Sequence, residues 1–247
     1  MHKTIVQAIE LANGLKRELF NLDSENIDIV LCPPFTALSE VAEVIADSNI
    51  QLGAQDVHWE EEGAFTGEVS CAMLKDLRCR FVIIGHSERR QYFGETNESV
   101  NKKTRSALKH ELSPIVCVGE TLSEREGGKT FKVLDDHVLN SLKDIGEQDI
   151  LKTVIAYEPV WAIGTGKTAT DEQAQEAQKY IRTLLIKMYN KDIAGKIRIQ
   201  YGGSVKPENI SGLMSEPDVD GALVGGASIK VDSFAAIVRR ASEVRKT

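Results

Sequence analysis

The sequence contains few cysteines and no long apolar run, and these shortages exclude several classes of protein. Four of its 247 residues are cysteine, and no two of them have Cys-x-x-Cys spacing. A disulfide scaffold or a zinc site is therefore not expected, and buried free thiols in a reducing cytoplasm are the better interpretation. No stretch of about 18 consecutive apolar residues occurs, so no membrane span is expected. The first turns have helical apolar spacing and do not resemble a secretory signal.

The charge balance is acidic. Asp and Glu number 37 against 30 Lys and Arg, which gives a formal net charge of −7. This balance argues against a nucleic-acid or membrane-surface binder, although it leaves room for a local anion site. Hydrophobic residues make up 42% and charged residues 27%, the usual mixture of a globular domain. The length is suitable for a single α/β barrel domain.

Seven short apolar runs, each followed by a helical pattern, organise the sequence. The predicted strands are Ile27–Leu31, Ile50–Ala54, Phe81–Ile84, Pro114–Val118, Thr153–Tyr157, Ile197–Gln200 and Gly221–Val224. Continuously apolar strands must be covered on both faces, which favours a parallel sheet with helices around it. Alternating strands and helices over this length predict a doubly wound sheet or a (β/α) barrel. An amphipathic helix from Ile5 to Leu19 comes first, with no strand before it.

Two glycine pairs follow the last two predicted strands. Gly202-Gly203 is followed by Ser204, and Gly225-Gly226 precedes a helical segment. Glycine allows backbone N–H groups to approach a ligand closely, and phosphate is bound at this place in many barrels. Either pair alone is better explained by turns. Two pairs after consecutive strands favour a phosphate site.

A third glycine-rich segment follows the fifth predicted strand. Gly164-Thr-Gly166-Lys167-Thr-Ala169 matches G-x-G-x-x-A, but it begins too far from the strand end for a dinucleotide loop. It also lacks the first glycine of a Walker A motif. We interpret residues 159–169 as a lid whose glycine amides close over an anion.

Two residues at strand ends are candidates for acid–base chemistry. Glu158 follows a buried strand, where loss of water would make it a better base, although a surface glutamate is the alternative. His86 lies where a helix begins, which favours the neutral imidazole, although a structural histidine is the alternative. His58, His110 and His137 lack such a placement and are interpreted as surface or structural residues.

Charged runs near these candidates are open to two interpretations. Glu88-Arg89-Arg90 is either a solvated run or a segment whose Glu88 turns inward to order the site. The charges of Asn97–Arg105 predict an exposed helical face. Cys117 ends a strand without a neighbouring histidine in the sequence, which favours packing over nucleophilic chemistry.

Six longer segments of the sequence match the motifs of one protein family. They are Ile84-Gly-His86-Ser-Glu88-Arg-Arg90, Ala156-Tyr-Glu158-Pro-Val-Trp161-Ala-Ile-Gly164-Thr-Gly166-Lys-Thr168, Tyr201-Gly-Gly203-Ser204-Val, Gly225-Gly-Ala-Ser228, Gly53-Ala-Gln-Asp-Val and Gly63-Ala-Phe-Thr66-Gly-Glu68. In their order along the chain, and from Met1 to the C-terminus, these segments resemble the triosephosphate isomerase family. The resemblance implies a (β/α)8 barrel that interconverts dihydroxyacetone phosphate and D-glyceraldehyde 3-phosphate without metal or organic cofactor.

The resemblance also implies roles for individual residues. Glu158 matches the catalytic base and His86 the electrophile, while Ser87 and Glu88 match positions that support this pair. The phosphate-binding amides match the set Gly164, Ser204, Gly225 and Gly226. The loop around Phe65, Thr66 and Gly67 resembles the loop through which the family forms homodimers.

The family pattern begins with a first strand that ends Asn-x-Lys, directly before the segment that matches Met1-His2-Lys3-Thr4. We therefore expect a single, N-terminally truncated barrel domain over residues 1–247, with two strand edges left unpaired. Two other functions stay open: an impaired barrel remnant that binds phosphate esters or a partner, and a sugar-phosphate epimerase. The epimerase would need metal ligands at strand ends, and the sequence offers no suitable set.

Overall fold

The computed structural model describes residues 1–22, 27–164 and 168–244, and within these ranges strands and helices alternate. The strands are β1 Ile29–Leu31, β2 Ile50–Ala54, β3 Phe81–Ile84, β4 Ser113–Val118, β5 Val154–Tyr157, β6 Arg198–Tyr201 and β7 Gly221–Ala222. The helices are α1 Ile5–Leu19, α2 Leu38–Ile45, α3 Cys71–Asp76, α4 Ser87–Phe93, α5 Asn97–Lys109, α6 Leu122–Glu126, α7 Thr130–Ser141, α8 Glu147–Ile150, α9 Asp171–Met188, α10 Lys191–Ala194, α11 Ile210–Ser215 and α12 Val231–Val244. Short 3₁₀ turns occupy Phe35–Ala37, Val160–Ala162 and Gly226–Ile229.

The strands form one parallel sheet in sequence order, from β1 to β7. The register runs straight through its centre, since Ile115 on β4 lies beside Ile83 on β3 and Val154 on β5. Each strand leads through at least one helix to its parallel neighbour, as parallel pairing requires. The predicted parallel sheet, its seven strands and the helix at the start of the chain are confirmed.

Alternate residues of the strands build two different cores. One face of the central strands packs under the helices, with Val82, Val116 and Ile155 fully buried. The intervening residues of the same strands, including Ile83, form a second cluster on the other face. Because side chains alternate across a strand, continuous apolar runs supply both cores at once.

The two edge strands are shorter than the sequence predicts. In the described residues, β1 and β7 each pair with one neighbour only, and no ladder joins them. The sequence predicts that β1 begins at Ile27 and that β7 ends at Val224. Because each of these strands is hydrogen-bonded, within the described ranges, to one neighbour only, fewer of its residues adopt strand structure. The inward side chains nearest these edges, Val30 and Leu223, are only partly buried.

The helices nevertheless form a continuous layer at this place. Helix α1 packs against both α2 and α12. Gly14 permits the close contact with α12, because a Cβ there would lie 2.5 Å from a methyl group of Val231. Arg239 of α12 donates to the backbone carbonyl of Glu18 on α1 at 2.6 Å. None of the helices in the described ranges is long and apolar enough to cross a membrane.

One expectation about the helices is confirmed only in part. The charges of α5 are predicted to form an exposed face, and Glu98, Lys102 and Arg105 are exposed, but Lys103 is only 3% exposed. Its ammonium group contacts Asp56 at 2.6 Å and also Glu95. Arg89 adds a contact to Asp56 at 2.9 Å, so two positive and two negative side chains compensate one another.

Candidate active site

The candidate residues follow the carboxyl ends of four strands, which share one rim of the parallel sheet. His86 follows β3 and Glu158 follows β5. The sites predicted for phosphate come after β5, β6 and β7, at Gly164, Ser204 and Gly225-Gly226. In parallel sheets with helical crossovers, ligands bind at this end.

His86 is the N-cap residue of α4, as its position before a predicted helix suggested. Its Nδ1 accepts a hydrogen bond from the backbone N–H of Glu88 at 3.3 Å. A ring nitrogen that accepts carries no proton, so the neutral ring holds its proton on Nε2. Nε2 lies 3.0 Å from Oε1 of Glu158 and donates to it. The helix start therefore selects the tautomer that presents a donor to the site.

Glu158 is buried and is held by neutral groups. It is 2% exposed, and Ser87 donates to it twice, from the backbone N–H at 2.9 Å and from Oγ at 3.2 Å. Burial raises the pKa of the Glu158 carboxyl, while His86 and Ser87 oppose that rise. A carboxylate deprived of water and without a strong cationic partner is a good proton acceptor. The alternative of a surface glutamate is wrong.

Two glycines lie so close to Glu158 that a side chain at either position would collide with it. A methyl group on Gly119, after β4, would overlap the carbonyl oxygen of Glu158. A methyl group on Gly202, after β6, would lie 3.0 Å from Cγ of Glu158 and 3.2 Å from the carbonyl oxygen of Tyr157. The backbone of Gly202 is not in the left-handed region, so its conformation alone does not require glycine. Glycine is required there because the space beside the Glu158 side chain is too narrow for a methyl group.

The charged run after His86 divides between surface and interior. The Glu88 side chain is 65% exposed; its backbone N–H donates to His86 Nδ1 at 3.3 Å, and its carboxylate lies farther from that nitrogen, at 3.9 Å. The Arg90 guanidinium donates to the carbonyls of Gly85 and Cys117 at 2.9 and 3.2 Å, and to Asn97 Oδ1 at 2.8 Å. Arg90 thus links the ends of β3 and β4, which a solvated run would not do.

Sequence reasoning missed Glu120, two residues after β4. This carboxylate is fully buried and accepts hydrogen bonds from the Tyr157 hydroxyl at 3.1 Å and the Trp161 indole at 2.9 Å. Arg125 contacts it at 3.1 Å. The signal was available, because Glu120 follows a buried strand just as Glu158 does. It anchors Trp161, at the start of the segment interpreted as a lid.

The predicted phosphate residues are accessible from one side. Cβ atoms built on Gly164, Gly225 and Gly226 would meet nothing within 4 Å, and Gly164 has a φ of +67° that favours glycine. The Ser204 carbonyl accepts from Asn209 at 2.9 Å, which orders the turn after β6. No hydrogen bond joins these residues to His86 or Glu158 in the described ranges. Gly166 and Lys167 of the predicted lid lie outside those ranges.

The loop expected at a subunit interface is exposed and carries an aromatic ring. Phe65 is 42% exposed, and its ring lies 4.6 Å from the buried ring of His58. Thr66 and Gly67 beside it are exposed, and Gly67 has a φ of +94°. The loop therefore presents an exposed apolar ring that packs at a tilt against His58.

Comparisons with known proteins agree with this geometry. A family model described as triosephosphate isomerase matches residues 1–241. The triosephosphate isomerase of Caldanaerobacter subterraneus subsp. tengcongensis is 57% identical over 96% of this chain and 95% of that protein. That of Carboxydothermus hydrogenoformans is 56% identical over 97% and 94%, and that of Geobacter metallireducens 61% over 86% and 85%. With matches of this extent, the chain belongs to the triosephosphate isomerase family.

Proposed function

We propose that the chain interconverts dihydroxyacetone phosphate and D-glyceraldehyde 3-phosphate by proton transfer through an enediolate. The observation that carries this proposal is the pair Glu158 and His86, a buried carboxylate in contact with a neutral imidazole at 3.0 Å. One group accepts a proton from carbon and the other donates a hydrogen bond to oxygen. An aldose–ketose isomerisation requires both.

The chemical step follows from these two groups. Glu158 leaves its contacts with Ser87 and His86 and accepts a proton from the carbon beside the substrate carbonyl. The C–H electron pair forms the carbon–carbon double bond, and negative charge develops on the carbonyl oxygen. His86 Nε2–H donates to that oxygen and stabilises the enediolate. His86 Nε2 gives its proton to that oxygen and takes up the proton of the neighbouring hydroxyl, so the negative charge passes to the second oxygen. Glu158 then returns its proton to the former carbonyl carbon while the second oxygen becomes the new carbonyl, and both the carboxylate and the imidazole are regenerated.

We assign phosphate binding to the backbone N–H groups of Gly164, Gly225 and Gly226 and to Ser204. Their lack of close side chains lets an anion approach the backbone. Residues 159–169 act as the lid that excludes water from the enediolate. Ser87 holds Glu158 between turnovers, and Glu88 sets the tautomer of His86 through its backbone N–H.

We further propose a cytoplasmic homodimer that contacts its partner through Phe65, Thr66 and Gly67. The exposed Phe65 ring is the apolar group that a second copy would cover. Residues 1–247 act as one barrel domain in each copy.

The test is an isomerisation assay with D-glyceraldehyde 3-phosphate. It is run on the 247-residue chain and on the same chain preceded by a strand ending Asn-x-Lys, the segment that the resemblance places before Met1. We expect turnover that the Glu158→Gln variant abolishes in the same background. Absence of turnover in both forms would overturn the proposal, as would full activity of the variant.

A further inference from the structure

A cavity of about 730 Å³ lies beside Glu158, between α4, α7 and the segments that follow β4 and β5. It is lined by Glu158 and Ser87, but by none of the residues assigned to phosphate. We call it the side cavity. Its volume is in the range of pockets that hold small organic molecules, whereas the proposed isomerisation assigns it no role.

The walls of the side cavity select for an uncharged occupant with an apolar body. Val118, Leu122 and Trp161 supply apolar surface. Arg90 lines the cavity together with two carboxylates, Glu124 and Glu158, so an anion or a cation that enters it meets a group of its own sign.

One wall offers a specific hydrogen bond. His137 lines the cavity, and its Nδ1 accepts from the backbone N–H of Gly119 at 3.3 Å. Burial lowers the pKa of His137 to about 4, so the ring is neutral at physiological pH with its proton on Nε2. No described residue accepts that proton, which leaves one donor for an occupant.

We propose that the side cavity binds a small uncharged molecule that combines an apolar body with a hydrogen-bond acceptor, and that its occupation slows turnover. The proposed effect on turnover rests on the proposed function. Glu158 and Trp161 form walls of the cavity in the resting arrangement, in which Ser87 holds the carboxylate. Because the base must leave Ser87 to reach a substrate, a ligand that fits the resting walls opposes that movement.

Three probes with the same ring test the charge argument: benzamide, benzoate and benzylamine. Binding is followed by calorimetry and by the ¹⁵N–¹H signal of His137 Nε2. We expect benzamide to bind with a Kd on the order of millimolar and to shift that signal. The charged probes should bind the cavity at least about tenfold more weakly. In the isomerisation assay, benzamide should lower kcat by about threefold or more at saturation while changing KM less.

Leu122→Trp is the matched variant, because Leu122 lines the cavity and has no part in the proposed chemistry. The larger ring should fill the cavity and abolish the benzamide signal at His137. Equal binding of benzamide to this variant, an unmoved His137 signal, or equal binding of the three probes would overturn the site. Binding with unchanged kcat would overturn the inhibitory part. The calorimetric and NMR readouts need no turnover, so a chain without isomerase activity still decides whether the site exists.

Discussion

Two buried carboxylates, Glu120 and Glu158, follow neighbouring strands of the sheet, but their surroundings differ. Glu120 accepts from Tyr157 and Trp161 and is paired with the Arg125 guanidinium at 3.1 Å. In the described residues Glu158 has no lysine or arginine partner of this kind, and it accepts instead from the neutral ring of His86 and from Ser87. Both are equally removed from water, at 0% and 2% exposure.

The comparison shows that burial alone does not produce a base. A buried carboxylate that is paired with a cation and bonded to two further donors acts as an anchor. A buried carboxylate held by neutral donors has a raised pKa and keeps its affinity for a proton. Gly202 adds a further difference, because a Cβ at that position would lie 3.0 Å from Cγ of Glu158.

The largest expected effect comes from removing the charge of Glu158. Glu158→Gln keeps the shape and one acceptor oxygen, so Ser87 keeps one of its two hydrogen bonds, but the amide cannot accept a proton from carbon. We expect kcat/KM to fall by about 10³-fold, with a change of about 1 kcal/mol or less in the free energy of unfolding, because removal of a buried charge offsets the lost hydrogen bond. Kinetics with D-glyceraldehyde 3-phosphate and urea unfolding measure both. A loss smaller than tenfold would show that another group is the base.

The same substitution at Glu120 should act mainly on stability. Glu120→Gln leaves the Arg125 guanidinium without its carboxylate and turns an amide N–H₂ toward buried donors. We expect the free energy of unfolding to fall by about 2–4 kcal/mol. Glu124→Gln is the control on the same segment, because Glu124 bonds only within its helix cap with Thr121 and should cost about 1 kcal/mol or less. Equal losses for the two variants would refute the anchor role.

The space beside the base is tested by Gly202→Ala. Its methyl group would press on Cγ of Glu158 at 3.0 Å, and the carboxylate would be displaced from its path to the substrate. We expect kcat to fall by about tenfold with a smaller change in KM. Gly221→Ala is the control, since its methyl group would meet only the flexible Gln200 side chain, at 3.3 Å. A variant at position 202 as active as that control would show that the glycine serves only the turn.

The sequence predicts the sheet well because each central strand carries apolar residues on both faces, as in Phe81–Ile84. It predicts Glu158 because a carboxylate after such a strand is conspicuous, and Glu120 carries the same signal. It fails at Lys103 and Arg90, whose local charge patterns look solvated. Their partners are distant in the chain, such as Asp56 for Lys103, and only folding brings them together. The space at Gly202 and the side cavity likewise depend on several elements at once.

The smallest expected effect concerns the pH dependence of the base. Because the pKa of Glu158 in the folded chain is above its ordinary value, kcat/KM should fall as the pH drops through that raised value. Ser87→Ala removes the Oγ donor that lowers this pKa, so the acid limb should move to higher pH. On that limb, kcat/KM of the variant should then be about threefold lower than kcat/KM of the parent chain.

Ser215→Ala, whose hydroxyl bonds only to the Ser211 carbonyl on α11, should leave the limb in place. The same raised pKa makes the folded chain bind the proton more tightly than the unfolded chain. The free energy of unfolding should therefore decrease as the pH rises between the two pKa values, and Glu158→Gln should lack that decrease. An acid limb that moves to lower pH in Ser87→Ala would mean that this hydroxyl does not stabilise the ionised carboxylate, and the contrast with the cation-paired Glu120 would lose its electrostatic basis.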